Sequence, residues 1–286
     1  MTDILKTIKE LYPTFSKGQK KIADFILTDY DKAAFMTAAK LGQTVNTSES
    51  TVVRFAFELG FDGYIDFQYN LQEIIKGRLT TLQRIELSLS KTAGKDNIVP
   101  TVMQSDLHNI RKTMAELDMD AFNGAVDMIL NARKIYILGL RSSSSLAGFL
   151  AHYLKFMSDN VRLVETNSLS EISEQLINIG SEDVLIVISF PRYAKRAVAA
   201  TEHAAKRGSG IIAITDSAAS PITTHATHTL IAASNMVCFV DSVAAPFSLV
   251  NSLIVALGLN RKAQLCRSFE TLEQLWDENQ VYQKQD

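Results

Sequence analysis

Apolar residues follow two different patterns along the chain. Residues 1–77 show helical spacing and almost no strand pattern, whereas from residue 134 short runs rich in Val, Ile and Leu alternate with helical stretches. We therefore predict an all-α domain over 1–77, a helical linker over 78–131 and an α/β domain over 132–286. The linker is predicted to hold three helices, over 82–89, 98–117 and 120–131.

The first two N-terminal helices have clear sequence signals. Ser16 and Gln19 have the spacing of a capping box, and an apolar face with Ile22 follows. The second helix is predicted over 35–43, where Gly42 is small enough to allow close packing. A turn over 43–46 then leads to a third helix.

The third helix is predicted to begin at a second capping-box-like pattern, Asn46-Thr-Ser-Glu49, and to end before Gly60. Four apolar residues at i, i+3, i+4 and i+7 are predicted to be buried: Val52, Phe55, Ala56 and Leu59. The opposite face carries Ser50, Arg54 and Glu58.

Two short helices joined by a turn of about four residues fit a helix-turn-helix, whose second helix enters the major groove of DNA. Any three-helix bundle would show similar faces, so that alternative stays open. The candidate DNA-binding residues flank the groove or lie in the first half of the third helix: Lys17, Lys21, Lys40, Ser48, Glu49, Ser50, Thr51 and Arg54. A net charge of −2 argues mildly against DNA, so the arrangement of charges must provide what their total does not.

The C-terminal domain is predicted to contain a parallel sheet covered by helices on both faces, because apolar strands alternate with helical crossovers. Ligands bind such sheets at the carboxyl ends of the strands. The predicted strands span 134–139, 161–165, 183–190, 210–216 and 228–232. Two helices are predicted to follow, over 246–257 and 261–280.

The first strand leads into a run of four serines and a helix. Gly139 at the strand end allows close backbone approach, and the helix start offers unpaired amides, so the stretch is predicted to bind an anion. One serine is enough to cap the helix, which leaves other hydroxyls for phosphate oxygens. A simple capped connector is the alternative. The candidate ligand-binding residues lie at three strand ends: Gly139, Arg141, Ser142, Ser143, Ser144, Ser189, Arg192, Thr215 and Ser217.

Composition narrows the classes further. No apolar stretch approaches a membrane span and no signal peptide is visible, so we expect a cytoplasmic protein without a membrane partner. Cys238 and Cys266 lack metal-ligand spacing and are expected to be reduced. His203, His225 and His228 show no convincing metal spacing either, and we expect neither a metal nor a cofactor.

The chain resembles the RpiR-type transcriptional regulators, which join an N-terminal helix-turn-helix to a sugar isomerase (SIS) domain that binds phosphosugars. The resemblance covers essentially the whole length. It depends on Ser48-Glu-Ser-Thr-Val-Val-Arg-Phe55 with Glu58-Leu-Gly-Phe61, and on Ile137-Leu-Gly-Leu-Arg-Ser-Ser-Ser144, Val187-Ile-Ser189 and 208–216.

The resemblance implies that Ser48, Thr51 and Arg54 lie at the DNA, while Ser189 and one of Ser142, Ser143 or Ser144 hold the sugar phosphate. One departure concerns the ligand: Pro191 and Arg192 stand where SIS domains have small and hydroxyl residues. A sugar acid whose carboxylate faces Arg192 is therefore an alternative to a simple sugar phosphate.

Two functions follow as hypotheses. In the first, a phosphorylated sugar or sugar acid controls a transcriptional regulator, not an enzyme, which binds a palindromic double-stranded operator as a homodimer or homotetramer. In the second, the chain is a phosphosugar isomerase without a use for 1–77, whose candidate bases are Glu165, Glu171, Glu174 and His152. An architectural DNA binder without an effector is a third alternative, and the serine loops disfavour it.

Overall fold

The computed structural model describes residues 4–76, 82, 85, 98–166, 168–237 and 239–282. The chain divides into two compact units, Met1–Ile98 with Val237–Val240, and Val99–Met236 with Asp241–Asp286. The division into 1–77, 78–131 and 132–286 stays a prediction. The helix predicted over 82–89 lies almost wholly outside the described residues.

The first unit is helical in its described residues. Its helices are α1 (Ile4–Leu11), α2 (Lys17–Thr28), α3 (Tyr30–Ala33), α4 (Ala38–Thr44), α5 (Glu49–Glu58) and α6 (Tyr64–Lys76). Ser16 and Gln19 form the predicted capping box at the start of α2. The helix predicted over 35–43 is α4. It begins at Ala38, not near Phe35, because the Thr37 side chain caps it by accepting from the Lys40 N–H.

Aromatic rings fill the centre of the first unit. Phe55 on α5 meets Phe15 and Phe67 edge to face, with ring centroids 5.1 and 6.1 Å apart. Val52, Phe55 and Ala56 are buried as predicted, but Leu59 is only partly buried. Leu59 is the C-cap residue of α5, where the chain already turns away from the core.

The second unit contains a five-stranded sheet. Its strands are β1 (Ile135–Gly139), β2 (Val161–Leu163), β3 (Val184–Ile188), β4 (Gly210–Thr215) and β5 (His228–Ile231). All neighbouring strands are parallel, in the order β2-β1-β3-β4-β5, which confirms the predicted parallel sheet.

Helices cover both faces of this sheet, as predicted. The helices of the second unit are α7 (Ile98–Glu116), α8 (Met119–Asn131), α9 (Ser144–Leu154), α10 (Leu169–Gln175), α11 (Lys195–Lys206), α12 (Ala244–Asn260) and α13 (Lys262–Glu278). One apolar layer joins α8, α9 and α12 to the sheet, and the other joins α10 and α11. Among the described residues, no helix is both long and apolar enough to cross a membrane.

Helix α7 is attached to the segment after β5 by side chains on one face. The buried Asn109 amide donates to the Asn235 carbonyl (3.0 Å) and accepts from the Asn235 N–H (3.3 Å). Thr113 Oγ1 accepts from the Ala233 N–H at 2.8 Å. These bonds pair backbone groups of the segment after β5 with side chains of α7, so they hold the helix against that segment.

Candidate functional site

The turn between α4 and α5 is tightly packed. It spans Val45 to Ser48, with Asn46 at a φ of 52°, and the Thr47 N–H donates to the Gly42 carbonyl at 2.8 Å. A Cβ on Gly42 would lie 3.0 Å from the Thr47 carbonyl oxygen, which confirms that this glycine permits close packing. Two short helices and a four-residue turn therefore have the helix-turn-helix arrangement.

Helix α5 is capped by Ser48, whose hydroxyl accepts from the Thr51 N–H at 3.2 Å. The prediction of a capping box from Asn46 to Glu49 is wrong, because the helix begins at Glu49 and Asn46 belongs to the turn. Its end agrees with the prediction, since Gly60 has a φ of 87° and follows the last turn.

The first half of α5 presents polar side chains to solvent. Ser48, Glu49, Ser50 and Arg54 are exposed, and Thr51 is half-buried. The Ser48 hydroxyl lies 2.9 Å from that of Ser50 and 2.8 Å from that of Thr51. Arg54 Nε donates to the Ser50 carbonyl at 3.3 Å, so its side chain folds back toward the same end of the helix.

The start of α2 lies beside this end of α5. A Cβ on Gly18 would lie 3.2 Å from Thr47 Oγ1 and 3.3 Å from Thr51 Cγ2, and Lys21 Nζ donates to the Asn46 carbonyl at 3.4 Å. The exposed Lys17 is in the first turn of α2. The fold thus brings these two lysines to the serine-rich end of α5. Lys40 is exposed in the first turn of α4.

The three predicted ligand-binding segments follow neighbouring strands at the carboxyl end of the sheet. Gly139 of β1 is in register with Ile188 of β3, which is in register with Ile214 of β4. Ser189 and Thr215 come next, and both are buried. The carboxyl ends of β1, β3 and β4 therefore meet as predicted.

A cleft of about 460 Å³ opens at this end of the sheet, between the β1–α9 turn and the end of β2. We call it the β1–β2 cleft, and its lining residues are Gly139, Leu140, Arg141, Ser144, Ser145, Gly148, Leu163, Val164, Glu165 and Thr166. It brings together three of the predicted ligand residues, namely Gly139, Arg141 and Ser144. The other six do not line it: Ser142, Ser143, Ser189, Arg192, Thr215 and Ser217.

The serine run forms a 3₁₀ turn, Arg141–Ser143, before α9 begins. Ser143 occupies the N-cap position but is buried and makes no side-chain capping bond, so the prediction of a serine cap is wrong. The Ser144 hydroxyl instead donates to the Arg141 carbonyl at 2.6 Å. The first turn of α9 is thus left without a side-chain cap, which suits an anion.

Arg141 and Gly139 have special backbone environments. Arg141 has a φ of 58°, a conformation that is unusual for a side chain of its size and is concentrated at ligand sites. A Cβ on Gly139 would lie 2.3 Å from the Ser143 carbonyl oxygen and 2.8 Å from Ala147 Cβ. Gly139 therefore also permits the close contact between β1 and α9, in addition to any approach of a ligand.

The loops after β3 and β4 are joined to each other. Tyr193 Oη donates to Asp216 Oδ1 at 2.9 Å, and Thr215 Oγ1 donates to the same oxygen at 3.2 Å. Ser217 Oγ accepts from the Ala219 N–H at 3.1 Å. Arg192 is exposed in the first of these loops. The hydroxyls of Thr215 and Ser217 are therefore engaged within the loops themselves.

The predicted ligand-binding residues do not include the β2 wall of the cleft, where sequence reasoning named only Glu165, as a candidate base of an isomerase. Glu165 and Thr166 come two and three residues after the end of β2, and the Thr166 hydroxyl donates a hydrogen bond to the Glu171 carboxylate on α10. Their position after a parallel strand was the available signal. Ser145, the last of the four serines, was also missed. Among the described residues, no group of three or more His, Cys, Asp or Glu side chains could hold a metal ion.

Comparisons with known proteins agree with this two-part organisation. The helix-turn-helix domain of the rpiR family matches residues 2–77, and the SIS domain matches residues 128–256. The HTH-type transcriptional regulator HexR of Escherichia coli is 27% identical over 225 residues, which cover 79% of this chain and 76% of HexR.

Two solved structures are similar to this chain. The sugar isomerase domain of an RpiR transcription factor from Sphaerobacter thermophilus is 27% identical, with a TM-score of 0.60 over 62% of this chain and 99% of that chain. Vibrio vulnificus NanR, solved in complex with ManNAc-6P, shares the fold at 21% identity, with a TM-score of 0.58 over 96% of this chain and 99% of that chain. The chain therefore belongs to the RpiR-type helix-turn-helix transcriptional regulators that carry an SIS domain.

Proposed function

We propose that this protein binds an operator through α5 and that a phosphorylated sugar in the β1–β2 cleft changes its affinity for that operator. One observation carries the proposal: an open cleft lies at the carboxyl edge of a parallel sheet, beside an uncapped helix start, in a chain that also contains a helix-turn-helix. Such a cleft is where α/β sheets bind small ligands.

The exposed side chains of α5 support the DNA-binding role. In a helix-turn-helix, the N-terminal residues of the second helix contact base edges in the major groove. Ser48, Glu49, Ser50, Thr51 and Arg54 occupy that part of α5, and we assign them to base and nearby backbone contacts. Lysines bind phosphates and fix the register of the protein on the duplex. We assign that task to Lys17, Lys21 and Lys40.

The residues of the cleft suit one phosphate group. Arg141 supplies a permanent positive charge, and the start of α9 supplies backbone amides and the positive end of a helix dipole. Ser144 and Ser145 add hydroxyls on the same wall. NanR, which shares the fold, was solved with a phosphorylated amino sugar, ManNAc-6P. This likeness supports the class of ligand.

The six predicted residues outside the cleft lining remain candidates for contacts with a larger ligand, because their loops lie at the same sheet edge. They are Ser142, Ser143, Ser189, Arg192, Thr215 and Ser217. We further propose a homodimer or homotetramer on a palindromic operator, since the symmetry of the operator mirrors that of the protein. Exposed apolar side chains on α7 and α12, such as Met114 and Leu259, are candidate subunit contacts.

The direct test is a gel shift with the DNA upstream of the protein's own gene. The purified chain should retard this fragment at physiological salt, and one or more phosphorylated sugars should change the midpoint. A random fragment of the same length serves as the control. Equal retardation of both fragments would mean that binding has no sequence specificity, and the operator would have to be abandoned.

A phosphosugar isomerase is the second candidate, because Glu165 places a carboxylate in the cleft where a general base would act. The other candidate bases fit less well. Glu171 accepts a hydrogen bond from Thr166, and Glu174 is exposed on α10. His152 is exposed on α9, where its ring contacts those of Tyr153 and Phe156. Turnover of fructose 6-phosphate that is lost in Glu165→Gln would favour the enzyme over the regulator.

A further inference from the structure

The two walls of the β1–β2 cleft carry opposite charge. Arg141 and the start of α9 form the β1 wall, whereas Glu165 lies on the β2 wall. These are the charged side chains among the described lining residues, and both are exposed to solvent in the cleft. A ligand that spans the cleft therefore meets a positive wall at one end and a negative wall at the other.

A second carboxylate strengthens the negative wall. The Thr166 hydroxyl donates a hydrogen bond to the Glu171 carboxylate and accepts one from the Ser168 N–H at 3.0 Å, so its remaining lone pair offers a ligand only a hydrogen-bond acceptor. Glu165 is also an acceptor when ionised. The β2 wall therefore favours ligand groups that donate hydrogen bonds. Sugar hydroxyl and amino groups donate them, and a carboxylate does not.

The arginine that the sequence suggested for a sugar-acid carboxylate is not in this cleft. Arg192 follows β3 and does not line the space between Arg141 and Glu165. A sugar acid bound with its phosphate at Arg141 would place its carboxylate toward the β2 wall. Like charges held that close disfavour binding, because neither is fully screened in a cleft.

We propose that Glu165 is the residue that determines effector specificity: it selects phosphorylated sugars whose other end carries hydroxyl or amino groups and rejects phosphorylated sugar acids. This inference rests on the proposed function, because it assumes that the cleft binds the effector. It narrows the effector to one of the two classes that the sequence left open.

The test compares three six-carbon compounds that all carry their phosphate on the same carbon: glucose 6-phosphate, glucosamine 6-phosphate and 6-phosphogluconate. Calorimetric titration of the full chain measures their affinities, with inorganic phosphate as a reference for the phosphate seat. The variants are Glu165→Gln and, as a matched control, Glu174→Gln, whose carboxylate is exposed on α10 outside the cleft.

We expect the wild type to bind glucose 6-phosphate and glucosamine 6-phosphate at least about tenfold more tightly than 6-phosphogluconate. Glu165→Gln should remove most of this difference by improving the acid and weakening the amino sugar, while Glu174→Gln should keep the wild-type ratio. Phosphate alone should bind all three proteins equally.

Other outcomes overturn the inference in distinguishable ways. If 6-phosphogluconate binds the wild type as tightly as glucose 6-phosphate, or if Glu165→Gln keeps the wild-type ratio, then Glu165 does not select the ligand although the cleft still binds it. A change in the ratio with Glu174→Gln as large as with Glu165→Gln would point to overall charge. If neither the sugars nor phosphate bind, the cleft is not a phosphosugar site and the proposed function fails as well.

Discussion

One added methyl group at Gly139 tests how the β1–β2 cleft is built. In Gly139→Ala the new Cβ would lie 2.3 Å from the Ser143 carbonyl oxygen and 2.8 Å from Ala147 Cβ. Carbon atoms prefer separations of about 3.5–4.0 Å, and the Ser143 atom is backbone, so the β1–α9 turn has to move. Since that turn also holds Arg141 and Ser144, the change should affect stability and binding together.

The expected loss of stability has two parts. Overfilling a packed site costs about 1–3 kcal/mol. Replacing glycine by alanine restricts the unfolded chain and returns about 0.4–1 kcal/mol. From the middle of each range, the net loss in the free energy of unfolding should be about 1.3 kcal/mol. Effector affinity should fall by about tenfold, because the phosphate contacts are displaced with the turn.

Urea unfolding followed by tryptophan fluorescence is a suitable assay, because the single tryptophan, Trp276, lies on α13 and reports on the second unit. Gly180→Ala is the control. Gly180 lies outside the cleft lining with nothing within 4 Å of its added Cβ, so the change should lower neither the free energy of unfolding nor the affinity for sugar phosphates. If Gly139→Ala unfolds at the wild-type urea concentration and binds sugar phosphates normally, the proposed role of the strand–helix contact is wrong.

Three further predictions concern other parts of the chain. Arg54→Ala should weaken operator binding by about 1–3 kcal/mol in fluorescence anisotropy at physiological salt, and unchanged affinity would remove α5 as the reading helix. Asn109→Ala should lower the free energy of unfolding by about 1–3 kcal/mol, because it removes both hydrogen bonds between the Asn109 amide and the Asn235 backbone, whereas the exposed His108→Ala should change it by less than about 0.5 kcal/mol. Burial raises the pKa of Tyr64, so its stabilising effect should be complete below the ordinary tyrosine pKa of about 10 and decrease at higher pH; Tyr64→Phe should remove that part of the alkaline loss in a pH series of unfolding curves.

The regular elements could be predicted because their signals are local. A nearly continuous apolar run marks β1, β3 and β4, and the predicted 210–216 differs by one residue from the observed Gly210–Thr215. The capping box at Ser16 was also correct, since both partners lie within one turn. Element type and order therefore follow from short stretches of sequence.

Helix starts were harder to predict where several caps compete. Asn46, Thr47 and Ser48 are all plausible caps by residue type. Asn46 has a φ of 52°, which is not the extended conformation of an N-cap, and the Thr47 N–H bonds to the Gly42 carbonyl within the turn, whereas Ser48 is extended and caps α5. The backbone conformation of the turn decided the outcome, and residue type alone does not contain that information.

The cleft was predicted in place but not in detail. The carboxyl edge of the sheet follows from the strand order, yet the 3₁₀ turn Arg141–Ser143 decides which serines face the cleft. It buries Ser143 and leaves Ser144 and Ser145 on the cleft wall. The second wall comes from Glu165 and Thr166 after β2, whose distance from the serines depends on sheet geometry.

Reciprocal binding tests the central claim most directly. If the cleft and α5 are coupled, the affinity of a phosphorylated sugar must change in the presence of saturating operator DNA, by the same factor as the operator affinity changes with sugar. Calorimetric titration of the full chain, with and without operator, should show a difference of about 5- to 150-fold, corresponding to a coupling of about 1–3 kcal/mol. Equal sugar affinities in the two titrations would show that the cleft does not control DNA binding.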